Sequence, residues 1–450
     1  MSRSGSNSLG RRFFRLTALN ILANVTAPLA GLVDVAMLGH LADIRFLAGV
    51  ALAGVIFDVV YWTFGFLRMG TTGTTAQAIG RAAAGHGEDA EAGRILYRGL
   101  LLAAACSLLL IAARSHVGDL SFAVLSGEPE VEDAGREYYD ARILGAPAVL
   151  LNLVFLGWFL GREESRLALA MTAVANLCNI LLNYLFIIRL GLAARGAGLA
   201  TMLSQYLMLA VALWLFARRR PHGAWSWPAI FDRERWRETV SLNRDILIRT
   251  LFLVGSFALF TNFSSILGVA VLTANALLLR ILTLAALLID GAAFATESLV
   301  GVLYGRRSRG ELRRLLRLAL VCGIAFAVPF FTVLAVAPRW LLGLLTSHGE
   351  VIESGVAYRL WLIPVLLFGA AAYIYDGLFL GLTAGGALRN AMFVSAVLVF
   401  LPISLAALYF DNPHVLWLAL AGFMAARAMT LELARRGLPA FAASAAEAGS

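Results

Sequence analysis

The sequence predicts an all-α integral membrane protein with 12 transmembrane helices in two six-helix lobes, related by pseudo-two-fold symmetry along the membrane normal. Three observations predict it. Of the 450 residues, 60% are hydrophobic and only 14% charged, with a mean hydropathy of +0.80, whereas a water-soluble domain carries roughly a quarter charged residues. The apolar residues come in continuous runs of about 20, the length a helix needs to cross a bilayer. In lipid the backbone must satisfy its own hydrogen bonds, which leaves helices or closed barrels, and unbroken runs exclude barrel strands. Finally, short motifs recur half a chain apart.

The spans read, in order, 14–38, 47–70, 94–113, 138–160, 167–188, 197–217, 244–267, 273–302, 315–337, 356–380, 389–409 and 413–431. The eighth is long enough to tilt or to project beyond the hydrocarbon. Basic residues punctuate the even-numbered loops. The second carries Arg81 and Arg94, the fourth Arg162 and Arg166, the sixth Arg218, Arg219, Arg220, Arg233, Arg235 and Arg237, and the eighth Arg306, Arg307, Arg309, Arg313 and Arg314. The N-terminus adds Arg11, Arg12 and Arg15, and the tail Arg435 and Arg436. The odd loops are poorer in Arg, and the third is acidic around Glu128–Glu137. By the positive-inside rule both termini are expected in the cytoplasm. The net charge of +9 is therefore a topology signal, and no nucleic-acid groove is expected. Cys106, Cys178 and Cys322 lie apart within apolar runs, so neither a disulfide framework nor a metal site is expected. The polar, basic start does not read as a removed signal peptide.

Internal duplication supports the two lobes. Gly80-Arg81 at the end of span 2 aligns with Gly305-Arg306 at the end of span 8, an offset of 225. Gly157–Gly161 in span 4 aligns with Gly377–Gly381 in span 10, an offset of 220. The expected domains are residues 1–217, an inter-lobe cytoplasmic loop at 218–241, and residues 242–450. Six spans per half is an even number, so the halves share one orientation, and parallel repeats around a central site are a transporter signature.

Ionisable residues inside a membrane are functional candidates by default. Asp34 sits in the apolar run of span 1. A partly desolvated carboxylate there could bind either a proton or a cation, the chemistry of an exchanger. Asn176, Asn179 and Asn183 share one face of span 5. They could bond a carboxylate or line a polar cavity, or simply join helices. In the second half, Asp290, Glu297 and Asp376 are the acidic candidates, with Arg249 and Arg280 as cations to pair with them. These residues read as a structural ion-pair network holding the second half, ahead of a direct transport role. Asp58 reads as packing polarity, and Pro28 is a candidate hinge in span 1. Met37, Phe57, Tyr61, Met69 and Met202 are candidates for apolar cavity contacts.

Beyond this the residues carry a resemblance. The stretches 28-PLAGLVDVAMLGHL-41, 74-TTAQAIG-80, 145-GAPAVLLNLVFLGWFLG-161, 196-GAGLATMLSQY-206, 242-LNRDILIRTL-251, 289-IDGAAFATE-297, 375-YDGLFLG-381 with 389-RN-390, and 416-LWLAL-420 occur in order along nearly the whole chain. Together they resemble the multidrug and toxic compound extrusion (MATE) transporters, in the DNA-damage-inducible F (DinF-like) branch. The resemblance implies two six-helix lobes around a central cavity. It also implies drug-resistance efflux of small amphipathic, often cationic substrates, driven by an inward H⁺ or Na⁺ gradient without a bound cofactor. Asp34 matches the family's coupling aspartate, and Asn179, Asn183 and Thr201 match the polar network of its N-terminal lobe. The family's second span 5 residue is often Asp; here it is Asn183, which tilts the expectation towards H⁺. Apolar residues near Leu253 stand where another branch carries a cation-binding glutamate.

The expectation is a monomeric H⁺-coupled efflux antiporter. The alternatives are a Na⁺-coupled antiporter and a flippase for lipid-linked precursors, which would need a strongly basic cavity. An enzyme is not expected, because no DxxD-type acidic cluster or Ser/His/Asp set is evident. No GxxxxGK[ST] motif is present for ATP to supply the energy.

Overall fold

The computed structural model describes residues 3–41, 43–88, 90–125, 127–219, 221, 223–438 and 441. Side chains are described from residue 8 onward, except those of residues 27–30, 32 and 34. All regular structure among these residues is helical. Ten helical stretches are long and apolar enough to cross a membrane: Arg45–Ala83, Ala90–Ala112, Ser165–Arg189, Ala193–Ala217, Trp227–Ile266, Val269–Gly305, Arg309–Val336, Gly349–Gly381, Gly385–Tyr409 and Pro413–Arg436. The bent pair Pro129–Ile143 and Ala146–Gly161 makes an eleventh. The 37-residue helix Arg3–Gly39 completes the twelve predicted spans.

Apolar runs mark where helices meet hydrocarbon, so they underestimate helices that continue into water. Span 7 was expected from residue 244, yet its helix begins at Arg233 within the predicted inter-lobe loop. Span 2 was expected to end at 70, but after an interruption at Phe64-Gly65 it continues to Ala83. Span 4 begins at Pro129 and turns by 54° at its break. Gly145 and Pro147 account for the turn. A Cβ at Gly145 would come within 3.2 Å of the Met202 backbone, and Pro147 can donate no backbone hydrogen bond as the next helix starts. The short helix Arg114–Val124 lies in a stretch the sequence reading left as loop.

By internal contact the chain forms two compact units, Leu22–Val240 and Ser241 onward together with the start of span 1 up to Ile21. In the first unit, glycines let span 4 lie directly on span 2. A Cβ on Gly157 would stand 2.4 Å from the Arg68 carbonyl oxygen, and one on Gly161 2.6 Å from that of Thr72. In the second unit span 10 lies on span 8 in the same way, with Gly377 against Ala293 O at 2.4 Å and Gly381 against Glu297 O at 2.5 Å. The paired positions keep the sequence offsets of 220 and 225, so the duplication read from motifs is also a duplication of contacts. Small-residue packing of this kind is how helices approach closely in lipid. Spans 5 and 11 both loosen into a π-helical stretch, Tyr184–Arg189 and Val394–Phe400.

The start of span 1 belongs with the second unit through Gly291. A Cβ there would meet Ile21 Cγ1 at 2.4 Å, and the Asn20 side chain donates to Gly291 O at 3.4 Å. The segment after span 6 docks on span 3 of the first unit. Trp225 packs edge-on to Tyr97 at 5.0 Å, and Arg98 donates to Ala229 O while pairing with Glu91.

Candidate functional site

In the first unit, spans 5 and 6 assemble a small buried polar network. Asn183 donates through Nδ2 to Asn179 Oδ1 at 3.2 Å, and Asn179 Nδ2 donates to the Thr201 hydroxyl at 3.2 Å. Thr201 in turn donates to Ala197 O at 3.0 Å. Asn183 is fully buried and Asn179 nearly so. Spacing of i, i+4 on span 5 places the two amides one above the other, and an adjacent turn of span 6 supplies the hydroxyl. The structure thus brings together Asn179, Asn183 and Thr201, which sequence reasoning grouped. Asn176 lies outside this chain of bonds: its buried amide nitrogen has no hydrogen-bond partner among the described residues. The network holds amides and a hydroxyl but no carboxylate, so its members can orient a carboxylate or a polar ligand but cannot themselves exchange a proton near neutral pH. The side chains of Asp34 and Pro28 lie outside the described residues; both positions belong to the span 1 helix.

The second unit holds a buried ionic cluster. Asp376 on span 10 pairs with Arg249 on span 7 and with Arg427 on span 12. All three are at most 5% exposed. Arg427 also stands over the Tyr373 ring, 5.1 Å from its centroid, and Asp290 on span 8 acts electrostatically on Arg427 and Tyr373. Two guanidinium groups are thereby set against two carboxylates, which is how buried charges are tolerated. Glu297 is fully buried two helical turns beyond Asp290, where its backbone carbonyl meets Gly381. Closer to the end of span 7, Arg389 donates to Asp245 at 2.9 Å, joining two motif stretches 144 residues apart.

Several expectations need correction. Arg280 does not pair with Asp290 or Glu297. Ten residues separate Arg280 from Asp290, about 15 Å along the helix, and its exposed side chain makes no ion pair among the described residues. Phe57 does not line a cavity, because it is fully buried in the first unit's core, tilted against Tyr61 and Tyr139 and edge-on to Tyr138. Buried arginines are also more numerous than the sequence reading allowed. Arg427 was missed altogether, although its place inside the apolar run of span 12 was a legible signal. Arg142 was missed too. It donates to the Tyr138 hydroxyl at 2.7 Å and lies 4.4 Å from the Phe57 ring centroid. Arg427 is held by Asp376 and the Tyr373 ring, and Arg142 by the Tyr138 hydroxyl and the Phe57 ring.

A family model described as MatE matches residues 20–185 and 246–411, well over half of the chain. The chain belongs to the MatE family. Its two matched segments begin 226 residues apart, another trace of the duplicated MatE halves. DNA damage-inducible protein F of Escherichia coli (strain K12) is 33% identical over 433 residues, covering 94% of this chain and 91% of that one. The probable multidrug resistance protein NorM of Thermotoga maritima is 24% identical over 372 residues, covering 82% of this chain and 77% of that one. Among solved structures, a MOP superfamily transporter from Pyrococcus furiosus superposes with a TM-score of 0.84 at 18% identity, covering 97% of both chains. This likeness shows the MatE fold of 12 helices.

Proposed function

We propose that this protein is a secondary active multidrug antiporter, exporting amphipathic, cationic compounds in exchange for H⁺, with Asp34 as the coupling group. The observation that carries the reading is the buried Asn179–Asn183–Thr201 network in the unit that contains residue 34. It offers fixed hydrogen-bonding groups to a carboxylate but no second titratable group, so one proton per cycle is handled by Asp34. Ionised Asp34 favours the state holding an organic cation. Protonation from outside neutralises it, the cation leaves, and the lobes return with the proton on Asp34 and release H⁺ inside. The names of relatives agree with this reading: one is a probable multidrug resistance protein and another, from Mus musculus, is a multidrug and toxin extrusion protein.

In this reading the working lobes are residues 1–217 and 242–450, joined by residues 218–241, and Pro28 is the hinge of span 1. The protein acts as a monomer in a bacterial inner membrane with both termini cytoplasmic. Asp376, Arg249, Asp290 and Glu297 form the polar frame of the C-terminal lobe and do not couple transport.

The test is efflux of a cationic dye from proteoliposomes under an imposed pH gradient without Na⁺, comparing wild type with Asp34→Asn. Efflux present in wild type and reduced at least about a hundredfold in the variant is the expected result, since an amide cannot carry the proton. Efflux that starts only when Na⁺ is supplied would transfer coupling to a sodium site. Equal efflux by the variant would remove Asp34 from the mechanism.

A further inference from the structure

Arg280 stands apart from the other membrane-embedded charges. It lies 11 residues into the helix Val269–Gly305, about 16 Å from that end. The helix is 37 residues long, about 55 Å against a hydrocarbon core of about 30 Å, so Arg280 lies in the half of the span nearer Val269. The side chain is exposed, and no hydrogen bond or ion pair holds it among the described residues. A guanidinium facing lipid is costly, so a wetted cavity is the environment that suits Arg280.

Such a cavity is present within the second unit. It has a volume of about 230 Å³ and is lined by Arg280, Thr261, Thr283, Asn275, Leu272 and Leu279, among others. Asn275 is held rigidly. It donates to the Ser264 hydroxyl at 2.8 Å and accepts from the Trp417 indole at 2.8 Å. The Thr261 and Thr283 hydroxyls donate to the carbonyls of Phe257 and Leu279 on their own helices, at 3.0 and 2.9 Å. Either can rotate to serve a ligand. Among the described residues no acidic side chain lines the cavity. The site therefore combines one uncompensated positive charge, neutral hydroxyls and leucine walls.

We infer that this groove is a binding subsite for amphipathic monoanions: the Arg280 guanidinium takes a carboxylate or sulfonate, and Leu272 and Leu279 take the adjoining apolar body. A planar five-donor guanidinium matches an oxyanion, and a single charge without a partner cation fits a monoanion better than a pyrophosphate. If the chain exports drugs as proposed above, its cargo then includes anionic or zwitterionic amphiphiles beside cations; that consequence rests on the transport reading, but the binding does not.

The test is fluorescence titration of the purified full chain in neutral detergent with two probes of nearly one body. One is 1-anilinonaphthalene-8-sulfonate and the other is the uncharged N-phenyl-1-naphthylamine. Arg280→Gln is expected to weaken the sulfonate about tenfold or more, the loss of a charge-assisted hydrogen bond, with the neutral probe unchanged within about twofold. Arg280→Lys, which keeps the charge, is expected to retain most of the sulfonate affinity. Unchanged sulfonate affinity in Arg280→Gln would overturn the inference. So would a parallel loss of both probes, which would make the side chain a packing element. Sulfonate preference that survives while cationic dye efflux fails in proteoliposomes would strike the transport reading and leave the subsite standing.

Discussion

Arg427 is a long polar side chain that is completely buried in a protein with few charges. It is sustained by Asp376, which it shares with Arg249, and by the face of Tyr373. Removing the shared carboxylate leaves two guanidinium groups without their closest counter-charge. Asp376→Asn is therefore expected to destabilise the second unit by about 3–5 kcal/mol, the cost of breaking a buried ionic set from one side. A thermal melt in detergent measures it, and a melting temperature within a degree of wild type would show that Asp290 suffices as counter-ion. Asp376 was legible in the sequence as a charge in an apolar run, as was Arg249. That Arg427 completes the set was not, because its partners lie 51 and 178 residues away along the chain and only the fold makes them neighbours.

At the scale of elements, the glycines of spans 4 and 10 decide how closely helices approach. Gly377 faces the Ala293 carbonyl oxygen at 2.4 Å from a virtual Cβ, and backbone cannot swing aside as a side chain can. Gly377→Ala is expected to cost about 1–3 kcal/mol through overpacking. Gly255→Ala on span 7, where nothing lies within 4 Å, is expected to be neutral or stabilising by up to about 1 kcal/mol. Thermal melts of the two variants side by side check the contrast, and equal melting temperatures would refute it. The GxxxG spacing announced close packing, but not the partner helix. Gly157 and Gly377 find theirs at equivalent places, Arg68 and Ala293, because the duplicated halves repeat one packing solution. The break in span 4 was hidden for a related reason: hydropathy records burial in lipid, and Pro129–Ile143 is a helix of lower hydropathy that its run of charges disguised as loop.

Across the whole molecule, the distribution of arginine carries a topology prediction. With the three native cysteines replaced, Glu130→Cys is expected to react with a membrane-impermeant maleimide in intact cells, and Arg309→Cys only after permeabilisation. Both side chains are exposed in the structure, so accessibility reports the side of the membrane and not burial. The reverse pattern would invert the orientation and place the arginine-rich loops outside, against the positive-inside rule. The ionic content of the halves is unequal, although their architecture is shared. At the repeat offsets Glu297 stands where the first unit has Thr72, and Asp376 where it has Leu156. The same scaffold thus keeps an amide–hydroxyl network in one unit and an ionic frame in the other, a division of labour that fits a single coupling carboxylate in span 1.

The sequence by itself determined the class, the twelve spans in order, the duplication and the family, because each rests on local signals: apolar runs as long as a bilayer is thick, arginine at alternate loops, and motifs repeated at a constant offset. Helical spacing also put Asn179 and Asn183 on one face, and the family resemblance alone added Thr201 to them. Tertiary structure alone decided which charges are paired. It drew Arg249, Asp376 and Arg427 together from three spans, left Arg280 in a groove without a partner among the described residues, and sealed Phe57 into a core. Each outcome turns on contacts between residues distant in the chain. In a medium without water to screen or solvate them, those contacts set whether a polar group is frame or site.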